Sequence, residues 1–296
     1  KTCFCKSLGL GITTTCSPCL EEKKKKLPTQ SNTKITQSVS CDFDEFNLLL
    51  QSIPESYHRD MLARLDCATK EGDRLVWNIE LSLKDENGFC RYSYAPYQNP
   101  ATLMREYRNE LFADDYHDLD LVNCRCEVYR YGLQLCDMPV PNFLNQLCDD
   151  RDGVFEEQYK NDPALDREQL KANVNCILGL SKDTLSDEFS TSAKQKWRPI
   201  LQKFLKKLEE KNLVKIIMRE MENGQLLDYP KSIDTFFRKT EREIWDTMNG
   251  VFPQDLYIYD GGLVSKKKLK EFGKSITKLC DETNEAILKK FNYSFK

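Results

Sequence analysis

The sequence is poor in histidine and in long apolar runs, and both shortages limit what the chain does. Its 296 residues include only 2 histidines, which leaves few candidates for the imidazole base that many nucleophilic enzymes use. It has no run of about 18 apolar residues, so we expect no segment to span a bilayer. It also lacks the Gly-x-Ser-x-Gly motif of hydrolases, and its glycine-rich segment at Gly9 to Gly11 lacks the Gly-Lys-Ser/Thr of a phosphate-binding loop. These absences favour a non-enzymatic function.

Apolar residues and cysteines are both present in useful numbers. A hydrophobic content of 40% with 10% aromatics is enough for a packed core and excludes wholesale disorder. The 13 cysteines are an odd number, so they cannot all pair with one another. With a single glycosylation sequon at Asn292, this composition favours an intracellular setting in the cytoplasm, the nucleus or an organelle. Secretion stays open as the alternative.

Charge is distributed unevenly along the chain. Residues 1–40 carry a net charge of +5, residues 41–160 carry −12 and residues 161–296 carry +4. The overall net charge of −3 therefore conceals a basic arm, an acidic middle and a mildly basic remainder. Such asymmetry is informative about partners rather than about fold. The acidic segment would suit a basic protein partner.

The hydrophobic pattern predicts an α+β fold that is mostly helical. We divide the chain into a Cys-rich arm at 1–21, a basic flexible linker or extended arm at 22–40, an acidic α+β domain at 41–160 and a helical region at 161–296. Alternation from Leu75 to Leu83 predicts a strand, and Asn87-Gly88 predicts a hairpin turn to a return strand over 90–94. We read 121–131 as a third strand and 42–70 as helical.

The helical region contains one especially regular apolar stripe. Its members recur at helical spacing, with Lys203, Lys206 and Lys207 on the opposite face: Trp197, Ile200, Leu201, Phe204, Leu205 and Leu208. Because proline disrupts a helix interior, we expect Pro199 near the start of this helix.

The amino-terminal cysteines form the most specific motif in the sequence. Cys3 and Cys5 are followed after ten residues by Cys16 and Cys19. Two close pairs of thiolates can surround Zn²⁺ tetrahedrally, and the metal would fold an arm too short to form its own core. Cys41 is an alternative ligand. We therefore predict a zinc site at Cys3, Cys5, Cys16 and Cys19.

Three other interpretations of this quartet remain. The cysteines could form disulfides, such as Cys3 with Cys16 and Cys5 with Cys19. The Cys16-Ser-Pro-Cys19 segment also has the spacing of a redox motif, although too few residues precede it for the usual strand. In the third interpretation they are ordinary reduced cysteines.

Two further clusters favour plain structural interpretations. The middle cysteines, Cys124, Cys126, Cys136 and Cys148, are best explained as core residues, with a second metal site or a disulfide as alternatives. The acidic cluster from Asp114 to Asp120 contains His117 and could bind a divalent ion. We favour an acidic surface loop there.

Three hypotheses for function follow. The first is a non-enzymatic, zinc-stapled subunit that binds nucleic acid or a larger protein assembly through basic residues. Its predicted contacts are two lysine groups: Lys23, Lys24, Lys25 and Lys26 in the arm, and Lys266, Lys267 and Lys268 near the last helix. The second is a secreted or surface protein with a disulfide-braced α+β body that acts as a ligand or adhesin. The third is an enzyme whose site residues are scattered in sequence.

Overall fold

The computed structural model describes residues 31–85, 92–93, 99–161, 165–180, 188–221, 224–258 and 261–295. This part of the chain is α+β and mostly helical, as predicted. The helices are α1 (Phe43–Ser52), α2 (Glu55–Leu65), α3 (Arg105–Phe112), α4 (Cys124–Leu135), α5 (Asn142–Asp149), α6 (Arg151–Asn161), α7 (Arg167–Leu178), α8 (Glu188–Glu210), α9 (Tyr229–Val251), α10 (Lys266–Glu271) and α11 (Ile276–Phe291). The strands are β1 (Ser31–Asp42), β2 (Thr69–Glu71), β3 (Arg74–Asp85), β4 (Tyr116–Asp120), β5 (Met218–Met221), β6 (Gly224–Leu227), β7 (Leu256–Ile258) and β8 (Gly261–Ser265).

The sheets are small and antiparallel. The first has the order β1-β3-β2, the second β4-β8-β7, and β5 and β6 form a two-stranded ribbon. The predicted strand from Leu75 to Leu83 is confirmed as part of β3. The predicted Asn87-Gly88 turn lies outside the described residues, whereas Ser93 of the predicted return strand forms an antiparallel bridge with Ser82.

Strand β1 occupies part of the segment that we predicted to be a flexible linker. It pairs with the whole of β3, from Ser31 opposite Asp85 to Asp42 opposite Arg74. Gln37 interrupts the alternation of apolar and polar residues along this strand, because it is polar and yet occupies a buried position. Its amide reaches the backbone next to β7, because Nε2 donates to the Gln254 carbonyl at 3.1 Å and Oε1 accepts from the Tyr257 amide at 2.7 Å. Residues 31–40 are therefore ordered strand rather than linker.

The predicted third strand over 121–131 is wrong, because residues 124–135 form helix α4. Alternating burial suggested a strand, but Cys126, Glu127, Val128 and Tyr129 are all buried in succession. A helix that is enclosed on most sides has no clear polar face, so its sequence lacks a helical period. The strand in this region is β4, at Tyr116–Asp120, which lies immediately before the predicted range and within the predicted acidic loop.

Two main hydrophobic cores hold these elements together. The first surrounds Trp77 and combines β1, α1 to α3 and β3 with β7 and β8. The second surrounds Tyr129 and combines α4 to α9 with the end of the chain. Helix α9 serves both, since Phe236 packs in the second core and Trp245 in the first. The cores are therefore not consecutive in sequence, because the first joins residues before position 120 to Trp245 and to residues 256–263.

Helix α8 contains the apolar stripe that the sequence indicated. Trp197, Leu201, Phe204 and Leu208 are fully buried, and the Trp197 indole donates to the Leu178 carbonyl at 3.0 Å. Pro199 lies inside this helix rather than near its start. Its position on the exposed side of the stripe lets the carbonyl that loses its partner face water. In the described residues, no helix has both the length and the apolar character that a membrane crossing requires.

Candidate functional site

The predicted zinc ligands and the first lysine run precede the described residues. Cys3, Cys5, Cys16 and Cys19 lie outside them, as do the lysines from Lys23 to Lys26. The zinc site and the contacts of the basic arm therefore stay predictions.

The middle cysteines are buried thiols. Cys124, Cys126, Cys136 and Cys148 form no disulfide, and neither do the other cysteines that the structure describes. Burial raises the pKa of Cys126 to about 11 and raises that of Cys148 further, so both are neutral at physiological pH. No group of three or more metal-ligating side chains is assembled within the described ranges. These cysteines serve as small core residues, and no disulfide between them stabilises the part of the chain that the structure describes.

The lysine run at the start of α10 is partly used by the fold. Lys266 Nζ donates to the Ala113 carbonyl at 2.6 Å. Lys268 pairs with Asp255, whose side chain is only 6% exposed. Lys267 is exposed. Two of these three predicted contact residues are therefore already bonded to other parts of the protein.

The acidic cluster is a strand whose carboxylates are largely paired. Residues 116–120 form β4, which pairs with β8. Three of the carboxylates lie against arginines: Asp115 against Arg74, Asp118 against Arg108 at 3.4 Å and Asp120 against Arg105 at 3.7 Å. The acidic appearance of this segment in sequence thus overstates the negative potential at the surface.

The middle of helix α8 presents a basic surface, and the acidic residues of this helix lie only at its ends, at Glu188, Glu209 and Glu210. Residues 189–208 include six basic residues and no acidic residue. Four of these cations are exposed: Lys196, Arg198, Lys203 and Lys206. Among the residues that the structure describes, none of the four has an ion pair or a side-chain hydrogen bond. We call these four residues the α8 basic face.

The geometry of the α8 basic face follows from the helix period. Buried residues occupy one side of α8, and at 100° per residue the four cations fall within the opposite half of the helix. Gln195, Pro199 and Gln202 lie among them. Given a rise of 1.5 Å per residue, Lys196 and Lys206 are separated by roughly 15 Å along the helix axis. The result is a compact positive surface on a helix that the core holds in place.

The sequence already contained the pattern of the α8 basic face, but the consecutive lysines from Lys266 to Lys268 were more conspicuous. Lys203, Lys206 and Lys207 were assigned to the polar face, and the absence of acids across 189–208 was the additional clue. Lys207 is the exception in the structure, because its Nζ donates to the Cys136 carbonyl at 2.7 Å.

Comparisons with known proteins found no relative of this chain. No family model, curated protein or solved structure matches it.

Proposed function

We propose that the chain is a non-enzymatic subunit that binds nucleic acid, and that the α8 basic face contacts the phosphates. One observation carries the proposal: four exposed cations share one side of α8, with no acidic residue between positions 189 and 208 and no partner in the described residues. Cations that the fold does not use retain their full charge for an anionic partner. Such contacts provide affinity without sequence preference.

The dimensions of the α8 basic face suit a phosphate backbone. Duplex DNA carries one phosphate charge per roughly 1.7 Å of helix axis, so a face of roughly 15 Å meets several phosphates. Lysine and arginine side chains of this length adjust to the exact phosphate positions.

The rest of the fold supports binding at this face in two ways. Trp197 and Phe204 anchor α8 in the core, so the backbone that carries the cations need not become ordered on binding. The acidic residues Asp118 and Asp120 are neutralised by arginines, which reduces the repulsion that the acidic middle of the sequence suggests.

The proposal is tested with a short fluorescein-labelled DNA duplex and anisotropy titrations of the whole chain. A variant with Lys196→Gln, Arg198→Gln, Lys203→Gln and Lys206→Gln should lose at least about tenfold in affinity at low salt, because each lost contact removes counterion release. Circular dichroism would check that the helical content is kept.

A matched variant tests whether the affinity depends on where the lost cations lie or only on how many are lost. Lys267, Lys270, Lys278 and Lys289 are exposed residues of α10 and α11, and their replacement by Gln removes the same charge. Lys267 is one of the contacts expected from the sequence, and the present proposal assigns the phosphate contacts of the described residues to α8 instead. We expect this control to keep most of the affinity. Equal losses in the two variants, or a larger loss in the control, would contradict a role for α8.

The amino-terminal arm extends the same proposal. Zinc bound by Cys3, Cys5, Cys16 and Cys19 would keep the arm compact. The lysines from Lys23 to Lys26 would add further phosphate contacts. Metal analysis of the purified protein should then find about one equivalent of zinc, because four thiolates bind one ion. Cys16→Ser should lose that zinc, whereas Cys67→Ser, at an exposed free thiol of the body, should retain it. Absence of zinc together with blocked thiols would favour disulfides instead.

A further inference from the structure

A cleft at the start of α4 has the size of a small-molecule site. Its volume is about 520 Å³, within the range of ligand pockets in proteins. Helices α3, α4, α6 and α7 each contribute to its walls, together with the end of β4. The cleft is separate from the α8 basic face, because no α8 residue lines it.

Cationic side chains from four helices converge on the cleft. Arg105, Arg125, Arg151 and Lys171 line it, against the two carboxylates Asp118 and Asp120. The carboxylates are already compensated by arginines, and Lys171 reaches Glu168 at 2.5 Å. Neither Arg125 nor Arg151 forms an ion pair with a described residue. The Arg125 guanidinium lies 5.3 Å from the centre of the Phe237 ring and contacts Tyr129, and that of Arg151 lies 5.9 Å from the centre of the Phe155 ring. These neutral partners leave both positive charges uncompensated, so the cleft retains an excess of positive charge.

Two polar atoms of cleft residues, Nε of Arg151 and Oδ1 of Asn123, are closed to solvent and have no hydrogen-bond partner among the described residues. Because solvent does not reach these two atoms, a ligand in the open cleft does not contact them. The donors that the cleft offers to a ligand are the guanidinium groups of its lining. A phosphate monoester presents three strong acceptor oxygens to such donors.

The first turn of α4 adds to this positive potential. Its N-cap Asn123 has φ 55° and forms no side-chain cap hydrogen bond. Its amide instead donates to the Leu147 carbonyl at 3.2 Å. The amide groups of this turn are thus left without the usual side-chain acceptor, and they carry the positive end of the helix dipole.

We propose that this cleft binds the phosphate monoester group of a small molecule. The phosphate lies at the first turn of α4 between Arg125 and Arg151, and the organic part lies against Phe155 and Val174 on the cleft wall. Two guanidinium forks and a helix terminus offer more donors than the two oxygens of a carboxylate can use. The site therefore prefers phosphate to carboxylate.

Three probes test the ligand class with the whole chain: inorganic phosphate, phenyl phosphate and benzoate, each titrated calorimetrically at low salt. Phenyl phosphate should bind most tightly, because it combines the anion with a ring that contacts the Phe155 wall. Inorganic phosphate should bind more weakly, and benzoate should be at least about tenfold weaker than phenyl phosphate. Absence of phenyl phosphate binding, or equal binding of benzoate, would overturn the proposal.

Matched variants on α6 test the location. Arg151→Gln should weaken phenyl phosphate binding by about tenfold, since it removes a charge-assisted contact. Lys160→Gln removes the same charge from an exposed position of α6 and should change nothing. Arg125→Gln gives a second variant if Arg151→Gln unfolds at a lower temperature. Equal effects of Arg151→Gln and Lys160→Gln would show general electrostatics rather than a site. DNA binding by the α8 basic face is measured separately, so either proposal can fail alone.

Discussion

Helices α8 and α10 both carry several lysines, yet the fold uses them differently. At α10 the lysines are consecutive in sequence, and Lys266 and Lys268 are bonded to Ala113 and Asp255. At α8 the cations are spread over the helix, and the four of the α8 basic face have no partner in the described residues. The density of charge along a chain is thus a poor measure of the charge that a surface offers. Helical periodicity and pairing decide it.

The difference has an electrostatic cause. The amino terminus of α10 is an unfavourable place for cations, because the helix dipole is positive there. Lys266 and Lys268 are accommodated through acceptors on other elements. The α8 cations lie along the helix body and point to water, where they require no compensation. We expect substitutions at α10 to affect stability and substitutions at α8 to affect binding.

The largest expected effect on stability is at the acceptor of Lys268. Asp255 is buried, accepts from the Ser265 amide at 2.8 Å and pairs with Lys268. Asp255→Asn should lower the free energy of unfolding by about 1–3 kcal/mol, because a charge-assisted hydrogen bond is lost and the lysine is left uncompensated. Denaturant unfolding measures the change.

A matched substitution on α8 completes that comparison. Lys203→Gln should change the free energy of unfolding by less than about 0.5 kcal/mol, as is usual for unpaired surface residues. Similar losses from Asp255→Asn and Lys203→Gln would mean that the two helices do not differ in the way described.

A smaller effect concerns the pH dependence near α10. Burial, and after it the charge of Lys266, lowers the pKa of His117 below its ordinary value of 6.5. The unfolded chain then binds a proton at higher pH than the folded chain does, so His117 makes stability decrease as the pH falls below about 6.5. Lys266→Gln removes one cause and should make this decrease smaller.

The measurement is the slope of unfolding free energy against pH, so an overall change in stability from the lost Ala113 contact does not interfere. His117→Gln serves as the reference without the titrating group. An unchanged slope in Lys266→Gln would show that Lys266 has no influence on His117.

Elements with one clearly polar face could be predicted from the sequence. The strand at Leu75 to Leu83 and the helix with Trp197 and Phe204 were predicted from their periods, because each has one buried and one exposed side. Helix α4 was misread because Glu127 is buried within a continuous core segment. Strand β1 was missed because the buried Gln37 finds its partners at Gln254 and, on β7, at Tyr257, more than 200 residues away in sequence.

The candidate sites depend still more on long-range contacts. Nothing local indicates that Lys268 meets Asp255, or that Asp118 meets Arg108. The cleft at α4 joins residues from four helices, and only the fold brings Arg125 and Arg151 together. The α8 basic face was the most predictable of these features, since all of its cations lie on one helix.

The salt dependence of DNA binding tests the central claim most directly. For a protein on duplex DNA, the logarithm of the binding constant falls with the logarithm of salt concentration by roughly 0.9 for each phosphate contact. If the α8 basic face makes these contacts, Gln at Lys196, Arg198, Lys203 and Lys206 should reduce the slope by about 3–4. Gln at the α10 and α11 control lysines should leave the slope unchanged. An unchanged slope in the α8 variant, or the reduction in the control instead, would contradict the account.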